Sequence, residues 1–275
     1  MNITDKISLM LSAKSDIKQA IEDKGVDMTN VPFPSYVHKI NEISGSTVLG
    51  ITQKEITEGG LFSWTIVNNT SASYVGEYAF ISCSNISRVS LPACKSISRG
   101  GFQGCTGLKT VAIPNCEFIY PEAFEGDINL KNINISKVSF INYDAFRGCS
   151  SLVQVALNKC KFVEKEAFIN CYTMSSIGST PLIEYVGSNA FQSCSSLTVI
   201  DMPKCSFIGD GAFAYCSALN TITVGTNLST TCSLDGSSAF YSCSALSSIY
   251  VPSSLVNAYK SAPYWSDYSN IIIGI

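Results

Sequence analysis

The chain has 275 residues, of which 46% are hydrophobic and 14% charged, and a net charge of −3 at pH 7. This composition provides enough apolar residues for a buried core and excludes a disordered chain, while the few and balanced charges provide no basic stripe for a nucleic acid. No apolar run approaches the ~18 residues of a membrane span, and the first ten residues lack the pattern of a signal peptide, so we expect neither membrane insertion nor a recognisable export signal.

Residues 1–45 have the pattern of a small helical segment. Residues 4–23 predict a helix that ends before Gly25, and residues 35–43 predict a second helix. The runs DIKQAI (16–21) and PFPSY (32–36) resemble a short module at the start of phage tail-associated structural proteins. Helices this short depend on tertiary packing. We therefore expect this segment to attach the chain to a larger assembly or to other copies of itself.

Residues 46–72 predict an N-terminal β cap. Ile51–Gln53 and Phe62–Ile66 alternate apolar and polar residues, as half-buried strands do. We expect these strands to cover the first turn of the repeats that follow, since the end of a repeat array exposes apolar edges.

Eight phenylalanines recur at a nearly constant spacing between residues 73 and 252. Each follows a Gly or an Ala, and the spacing is 22 residues except for one step of 23 and a last step of 27. These anchor phenylalanines are Phe80, Phe102, Phe124, Phe146, Phe168, Phe191, Phe213 and Phe240. A fixed period of this length predicts a mainly β solenoid of about eight coils, whose equivalent side chains form internal ladders. The long last step predicts a protruding loop over residues 226–235.

Each repeat also contains a strand pattern. An apolar residue stands six positions after the anchor, a Val or Ile nine positions after it, and usually another aliphatic residue two positions later, as in Ile86, Val89 and Leu91. A proline such as Pro92 often follows, as expected of a residue that cannot extend a ladder. The pattern predicts a short strand in every coil, and the Ala-Phe step predicts a short helical turn.

The consensus A-F-x-x-C-x-x-L-x-x-I-x-L-P, as in residues 79–92, resembles the BspA-like leucine-rich repeat family over residues 73–252. The resemblance implies a leucine-rich-repeat solenoid and a surface or secreted binding protein, often an adhesin, without catalytic residues of its own. The third copy departs from the consensus with Asp127 in the cysteine position and Ser136 in the proline position, and the fifth has Ser179 in a strand-core position. We expect these changes to weaken single coils only.

Eleven of the twelve cysteines recur at two positions of the repeat. One set is Cys83, Cys105, Cys149, Cys171, Cys194, Cys216 and Cys243, and the other is Cys94, Cys116, Cys160 and Cys205. Metal sites, disulfides and buried free thiols are the alternatives. No C-x-x-C motif is present, and a coil spacing of about 4.8 Å exceeds the roughly 3.5–4.5 Å between the Cβ atoms of a disulfide. We favour reduced buried thiols, without a metal or cofactor, and expect only Cys232, in the predicted loop, to be accessible.

Residues 253–275 predict a C-terminal cap. The segment after Pro252 predicts a short helix opened by serine N-caps, and Ile271–Ile273 predicts a closing strand. The motifs V-P-x-x-x-V-x-A-Y-K and W-S-x-Y resemble the terminal cap of the same repeat family. We therefore expect the aromatic residues around Trp265 to pack internally rather than to bind a ligand.

Three acids, Glu122, Asp144 and Glu166, stand two residues before an anchor phenylalanine, and we call them the acidic column. A separation of about 5 Å per coil admits a glycosidase pair or a calcium site. Asn189 and Ser238 occupy the same position in other coils, which favours polar caps of a short turn instead. His38 is the single histidine, so a Ser-His or Cys-His pair is not expected. We predict no catalytic residues.

Five rings stand six residues before an anchor phenylalanine. This aromatic column consists of Phe118, Phe140, Phe162, Tyr185 and Phe207. Outward rings would form an apolar strip of the kind that marks a binding surface, whereas inward rings would be core. The Ile or Val after each ring favours an outward ring, and the cysteine or aliphatic residue two positions before it favours an inward one. Both orientations stay open, and the aromatic column is our candidate partner-binding site.

These patterns predict a non-enzymatic extracellular, cell-surface or virion-associated binding protein. Its solenoid would engage a protein or glycan on a cell surface, or other virion proteins, and its N-terminal helices would dock it to a larger assembly. The alternative is a purely structural virion or cell-surface component without a ligand of its own. A carbohydrate-active enzyme that uses the acidic column is a third possibility.

Overall fold

The computed structural model describes residues 50–51 and 65–275. The chain divides into two compact units, Met1–Gly50 and Ile51–Ile275. The helices predicted within residues 1–45, His38 and the strand residues 52–53 and 62–64 lie outside the described residues. Within the described part, no helix is long and apolar enough to cross a membrane.

One row of strands forms a nine-stranded sheet, which we call the long sheet, and its described pairs are parallel. In spatial order the strands are β1 (Gly50–Ile51), β3 (Tyr74–Val75), β5 (Ser96–Ile97), β7 (Phe118–Ile119), β9 (Phe140–Ile141), β10 (Phe162–Val163), β11 (Tyr185–Val186), β13 (Phe207–Ile208) and β15 (Ser233–Leu234). The second residue of each strand from β3 onward is buried. These residues form the inner surface of the sheet.

A second row of strands forms two four-stranded parallel sheets. The first short sheet contains β2 (Ile66–Asn68), β4 (Arg88–Ser90), β6 (Thr110–Ala112) and β8 (Asn132–Ile133). The second short sheet contains β12 (Val199–Met202), β14 (Thr221–Val224), β16 (Ser248–Val251) and β17 (Ile272–Gly274). Between the two sheets the row continues as isolated bridges from Asn132 to Gln154 and from Gln154 to Ser176. The strand predicted nine residues after each anchor phenylalanine therefore corresponds to this second row.

The 23-residue step lies at the break between the two short sheets. Gly178 has a positive φ of 66° there, and the chain bends after the bridge of Ser176. Ser179, which we expected in a strand-core position, is exposed, whereas Thr180 is buried and its hydroxyl donates a hydrogen bond to the Asp201 carbonyl. The expectation for Ser179 was wrong because the extra residue moves its neighbour into the core position.

The solenoid is mainly β, as predicted, but it has about ten turns rather than eight. The anchor phenylalanines follow the eight strands of the long sheet from β3 to β15. One further turn begins at β1, and β17 pairs with β16 at the other end. Counting phenylalanines misses both terminal turns, because neither has a phenylalanine in the anchor position.

The anchor phenylalanines form one continuous internal ladder. Successive rings from Phe80 to Phe240 lie 4.8–5.7 Å apart and within 10° of parallel. The backbone N–H of each anchor from Phe80 to Phe213 donates to a carbonyl of the next coil, as from Phe102 to Ala123 at 2.8 Å. The residues around the anchors form hydrogen-bonded turns, and the short helical turn that we expected there is absent from the described structure. Ring stacking and backbone pairing therefore set the same register.

A ladder of thiols accompanies the phenylalanines. The S–H groups of six cysteines of the first set donate to the carbonyl of an anchor phenylalanine in the preceding coil, as from Cys149 to Phe124 at 3.1 Å. All twelve cysteines are free, and all are buried except the half-buried Cys243. Burial raises the pKa of Cys116 and of Cys160 to about 12. All eleven cysteines of the two positions are reduced, as predicted, and ten of them are buried.

Cys232 is also buried, and the prediction that it is accessible was wrong. Its backbone N–H donates to the hydroxyl of Tyr259 at 2.8 Å, and its carbonyl accepts a hydrogen bond from the indole N–H of Trp265 at 2.7 Å. β15 follows it directly and pairs with β13. Only part of residues 226–235 therefore protrudes, since the end of that segment re-enters the long sheet beneath the C-terminal cap.

The C-terminal cap contains two 3-10 helices, Ser253–Leu255 and Trp265–Tyr268, and an α-helix, Val256–Ser261. It ends in β17, which confirms the predicted closing strand. No side chain caps the N-terminus of either of the first two helices, so the expected serine caps are not formed. Trp265 is fully buried, and its ring lies 5.8 Å from that of Phe240. Trp265 therefore packs internally at the end of the phenylalanine ladder, as predicted, whereas the neighbouring Tyr264 is exposed.

Asp127 interrupts the thiol ladder with a buried carboxyl group. Its Oδ1 accepts a hydrogen bond from the backbone N–H of Cys105 at 2.7 Å, whereas its Oδ2 is buried without a partner in the described structure. Burial raises the pKa of Asp127 well above its usual range. A cysteine at this position would be placed to donate to the Phe102 carbonyl, by analogy with the other coils.

Replacing Asp127 by cysteine should stabilise the protein at neutral pH. A buried polar group without a partner costs about 1–3 kcal/mol, and we expect Asp127→Cys to raise the free energy of unfolding at pH 7 by that amount. Because the folded pKa exceeds the unfolded value of ~3.9, the contribution of Asp127 is favourable below that value and is lost as the pH rises through the folded pKa. The increase in the free energy of unfolding caused by Asp127→Cys should therefore become smaller as the pH is lowered towards 4. Urea denaturation at both pH values measures it.

Asp127→Asn is the matched control, because it keeps the acceptor for Cys105 and removes the ionisable group. Asp127→Asn should likewise remove the pH dependence that the Asp127 carboxyl group gives to the free energy of unfolding. An equal difference between wild type and Asp127→Cys at pH 4 and pH 7 would show that ionisation is not involved.

The buried thiols should resist modification in the native protein. We expect an aromatic disulfide reagent at pH 8 to react first with half-buried Cys243 and only very slowly with Cys232, because burial keeps the thiols protonated. In denaturant all twelve should react. Peptide mapping identifies the modified residues, and rapid native labelling of Cys232 would contradict its position beneath the cap.

Candidate functional site

The aromatic column lies on the outer surface of the long sheet. Phe118 is 47% exposed, and the other four rings are half-buried. The residue that follows each ring is buried, as in Ile119 and Ile141. The structure thus resolves the two alternatives in favour of outward rings. The parallel pairing of β7, β9, β10, β11 and β13 places the five predicted residues in one row.

Two pairs of neighbouring rings contact each other along the row. Tyr185 and Phe207 are stacked with centroids 5.0 Å apart, whereas Phe140 and Phe162 are 6.0 Å apart and tilted by 50°. Rings packed side by side lose part of their exposure to each other, which explains why four of the five are half-buried.

Ion pairs border the aromatic column on its N-terminal side. The Lys95 ammonium lies 2.8 Å from the Glu117 carboxylate, and the Lys161 ammonium lies 3.7 Å from that of Glu184. Partial burial raises the pKa of Tyr185, and nearby carboxylates add to the shift. The column is therefore an apolar strip with charged margins, which is the usual composition of an interaction surface.

The acidic column differs from our expectation of turn caps. Glu122, Asp144 and Glu166 have positive φ values of 59°, 55° and 57°. Gly100 and Asn189 occupy the same position of the repeat and also have positive φ values. The position is thus a left-handed turn residue, which explains the glycine and asparagine in the column. Glycine and asparagine favour a positive φ, so these two residues could have indicated the left-handed turn from the sequence, but the column was interpreted as polar caps.

Arginines bind the carboxylates of the acidic column. Arg99 donates two hydrogen bonds to Glu122, at 2.7 and 3.2 Å. Arg147 donates to Glu166 at 2.7 Å and to Asp144 at 3.2 Å. Partial burial raises the pKa of Asp144, and the hydrogen bond from Arg147 opposes the shift. Carboxylates neutralised in this way are poorly suited to act as a nucleophile and acid pair or to bind a cation.

The outer surface of the first short sheet forms a second candidate site, an open groove of about 760 Å³ that we call the polar groove. Its outward residues are Ile66, Asn68, Arg88, Ser90, Thr110, Ala112, Asn132, Asn134 and Gln154. Sequence analysis missed this surface, because it used the strand pattern only to locate the core. The alternation of buried and exposed residues around Val89 and Val111 was the available signal.

Neither surface has the donors of a metal site. Among residues 65–275, no group of three or more His, Cys, Asp or Glu side chains is placed to hold a metal ion.

Paired substitutions should distinguish the outer and inner aromatic ladders. We expect Phe146→Ala to lower the free energy of unfolding by about 3–5 kcal/mol, because it opens a cavity in the core. Phe140→Ala should lower the free energy of unfolding by only about 1 kcal/mol, because it removes one aromatic contact at the surface. Urea denaturation of both variants measures the difference, and equal losses would place Phe140 in the core.

Comparison with known proteins identifies the repeat. A sequence model described as the BspA type leucine rich repeat region matches in six copies, over residues 60–175, 117–235 and 141–270. A search of curated protein sequences gives no match.

Several solved structures are similar in fold. A leucine-rich repeat protein from Bacteroides ovatus is 17% identical, over 78% of this chain and 85% of that chain, with a TM-score of 0.39. A leucine-rich repeat protein from T. pallidum is 22% identical, over 73% and 81%, with a TM-score of 0.42. A leucine-rich cell surface protein from Faecalibacterium prausnitzii is 18% identical, over 69% and 73%, with a TM-score of 0.33. These TM-scores are too low to carry an argument about function. The sequence model, by contrast, matches well over half of the chain, and the chain therefore belongs to the BspA-type leucine-rich repeat family.

Proposed function

We propose that this chain is a non-enzymatic binding protein of the cell surface, the extracellular space or a virion, and that the aromatic column engages a protein or glycan. The observation that carries the proposal is the single row of five outward rings on the long sheet. Outward aromatic rings supply large contact areas at a low cost in side-chain entropy, and both protein surfaces and sugar faces pack against them.

Two further observations support a binding role. The arginine pairing of the acidic column removes the most plausible catalytic acids from use. The rings also lie on a sheet whose register is fixed by the buried phenylalanine ladder, so little conformational entropy is lost when a partner binds. Residues 1–45, in this proposal, attach the chain to a larger assembly.

Substitution of the rings tests the proposal directly. We expect the triple variant Phe118→Ser, Phe140→Ser, Phe162→Ser to lose at least tenfold in affinity for a partner found on arrays of host glycans or in extracts of surface proteins. The matched control is Tyr172→Ser, Tyr215→Ser, Tyr241→Ser, which removes three exposed rings from the turn side of the solenoid. The control should bind like wild type, by biolayer interferometry.

The outcomes separate the competing functions. Equal loss in both variants would contradict a role for the aromatic column. The absence of any ligand for the full chain would favour the purely structural component, and turnover of a glycan on the array would favour the enzyme. Deletion of residues 1–45 should remove attachment to the assembly while ligand binding by the solenoid is retained.

A further inference from the structure

Acidic residues lie on one side of the solenoid in its first half, whereas basic residues occur on both sides, and those on the acidic side form ion pairs. In segments 84–94, 106–116, 128–138 and 150–160, which form the first short sheet and its continuation, the sequence contains five basic residues and no Asp or Glu. The basic residues are Arg88, Lys109, Lys131, Lys137 and Lys159. The intervening segments contain the acidic column and the carboxylates beside the aromatic column. The polar groove is therefore the basic side of a chain whose net charge is −3.

The basic residues surround the groove on both edges. Arg88 lies within it. Lys109 and Lys131 directly precede β6 and β8 and are stacked in register, since the backbone N–H of Lys131 donates to the Lys109 carbonyl at 3.0 Å. Lys137 and Lys159 lie at the opposite corner, between the short-sheet row and the long sheet. All five are exposed, and none forms an ion pair with a carboxylate of the described residues.

The walls of the groove offer hydrogen bonds in a repeated pattern. Parallel pairing places Arg88, Thr110, Asn132 and Gln154 in one row, with Asn68, Ser90 and Ala112 in a second row. Amide and hydroxyl groups both donate and accept hydrogen bonds. A polar side chain thus recurs about every 4.8 Å along the first row, which fits a linear polymer with a repeating polar unit.

We infer that the polar groove binds a linear polysaccharide with one carboxylate on each sugar, that is, a polyuronate. The basic residues recur at about one per coil, which matches one negative charge per sugar. Hydroxyl groups of the sugars would bond to the Thr, Asn and Gln side chains. Among the described residues, no aromatic side chain lines the groove, so the stacking that a single-stranded nucleic acid uses is missing. This site is separate from the aromatic column and does not depend on the proposed function.

Binding of polygalacturonate to the full chain tests this inference. We expect saturable binding at low salt that weakens as the ionic strength rises, because exposed charges are screened. The variant Arg88→Gln, Lys109→Gln, Lys131→Gln should lose at least tenfold in affinity by isothermal titration calorimetry. Asn132→Ala, Gln154→Ala, which leaves the charge unchanged, should also bind more weakly than wild type. All five positions are exposed, and thermal melts would verify that the variants fold.

Two matched variants distinguish this site from others. Lys95→Gln, Lys161→Gln, Lys165→Gln removes the same charge from the long-sheet side and should bind within twofold of wild type. Phe118→Ser, Phe140→Ser, Phe162→Ser should also keep polyuronate binding, even though it loses the partner of the aromatic column. Equal loss in the Lys95 variant, no binding of polygalacturonate by the wild type, or equally tight binding of neutral dextran or oligothymidylate would each overturn the inference.

Discussion

The stacking of anchor phenylalanines between successive coils is the interaction on which the rest of this protein depends. The rings lie 4.8–5.7 Å apart, which is close to the spacing of paired strands. One repeat of the chain therefore adds the same distance to the ladder of rings and to the sheets. The backbone N–H of each anchor except the last pairs with the next coil at the same point. Every outward residue then inherits a fixed register, and rows of surface side chains arise without any contact of their own.

This constraint explains why most of the fold could be predicted from the sequence. The spacing of Phe80 and its equivalents determines the solenoid, and the apolar residues after each anchor determine the second row of strands. The thiol positions follow from the same period. Features that break the period were harder to predict, since they depend on three-dimensional neighbours. Cys232 is buried because Tyr259 and Trp265 of the cap cover it, and nothing near Cys232 in the sequence indicates that cover.

The candidate surfaces were predictable to different extents. The five rings of the aromatic column were identified from their spacing, but their orientation was not, because buried residues flank them on both sides in sequence. The strand is only two residues long, and its geometry decides the matter: Ile119 faces the core and Phe118 the exterior. The polar groove was missed altogether, because its residues share polarity and charge but no single residue type. A repeated residue type is easier to recognise in a sequence than a repeated polar or basic character carried by different residue types.

The extra residue near Gly178 affects one row of strands and not the other. The long sheet passes this point without interruption, whereas the row of short strands divides there. A duplicated 22-residue unit inserted before the break would extend both the aromatic row and the groove. A unit inserted after it would extend the aromatic row alone. One inserted residue thus lets a repetitive chain change the size of one surface without changing the other, so each can adapt separately as repeats are gained or lost.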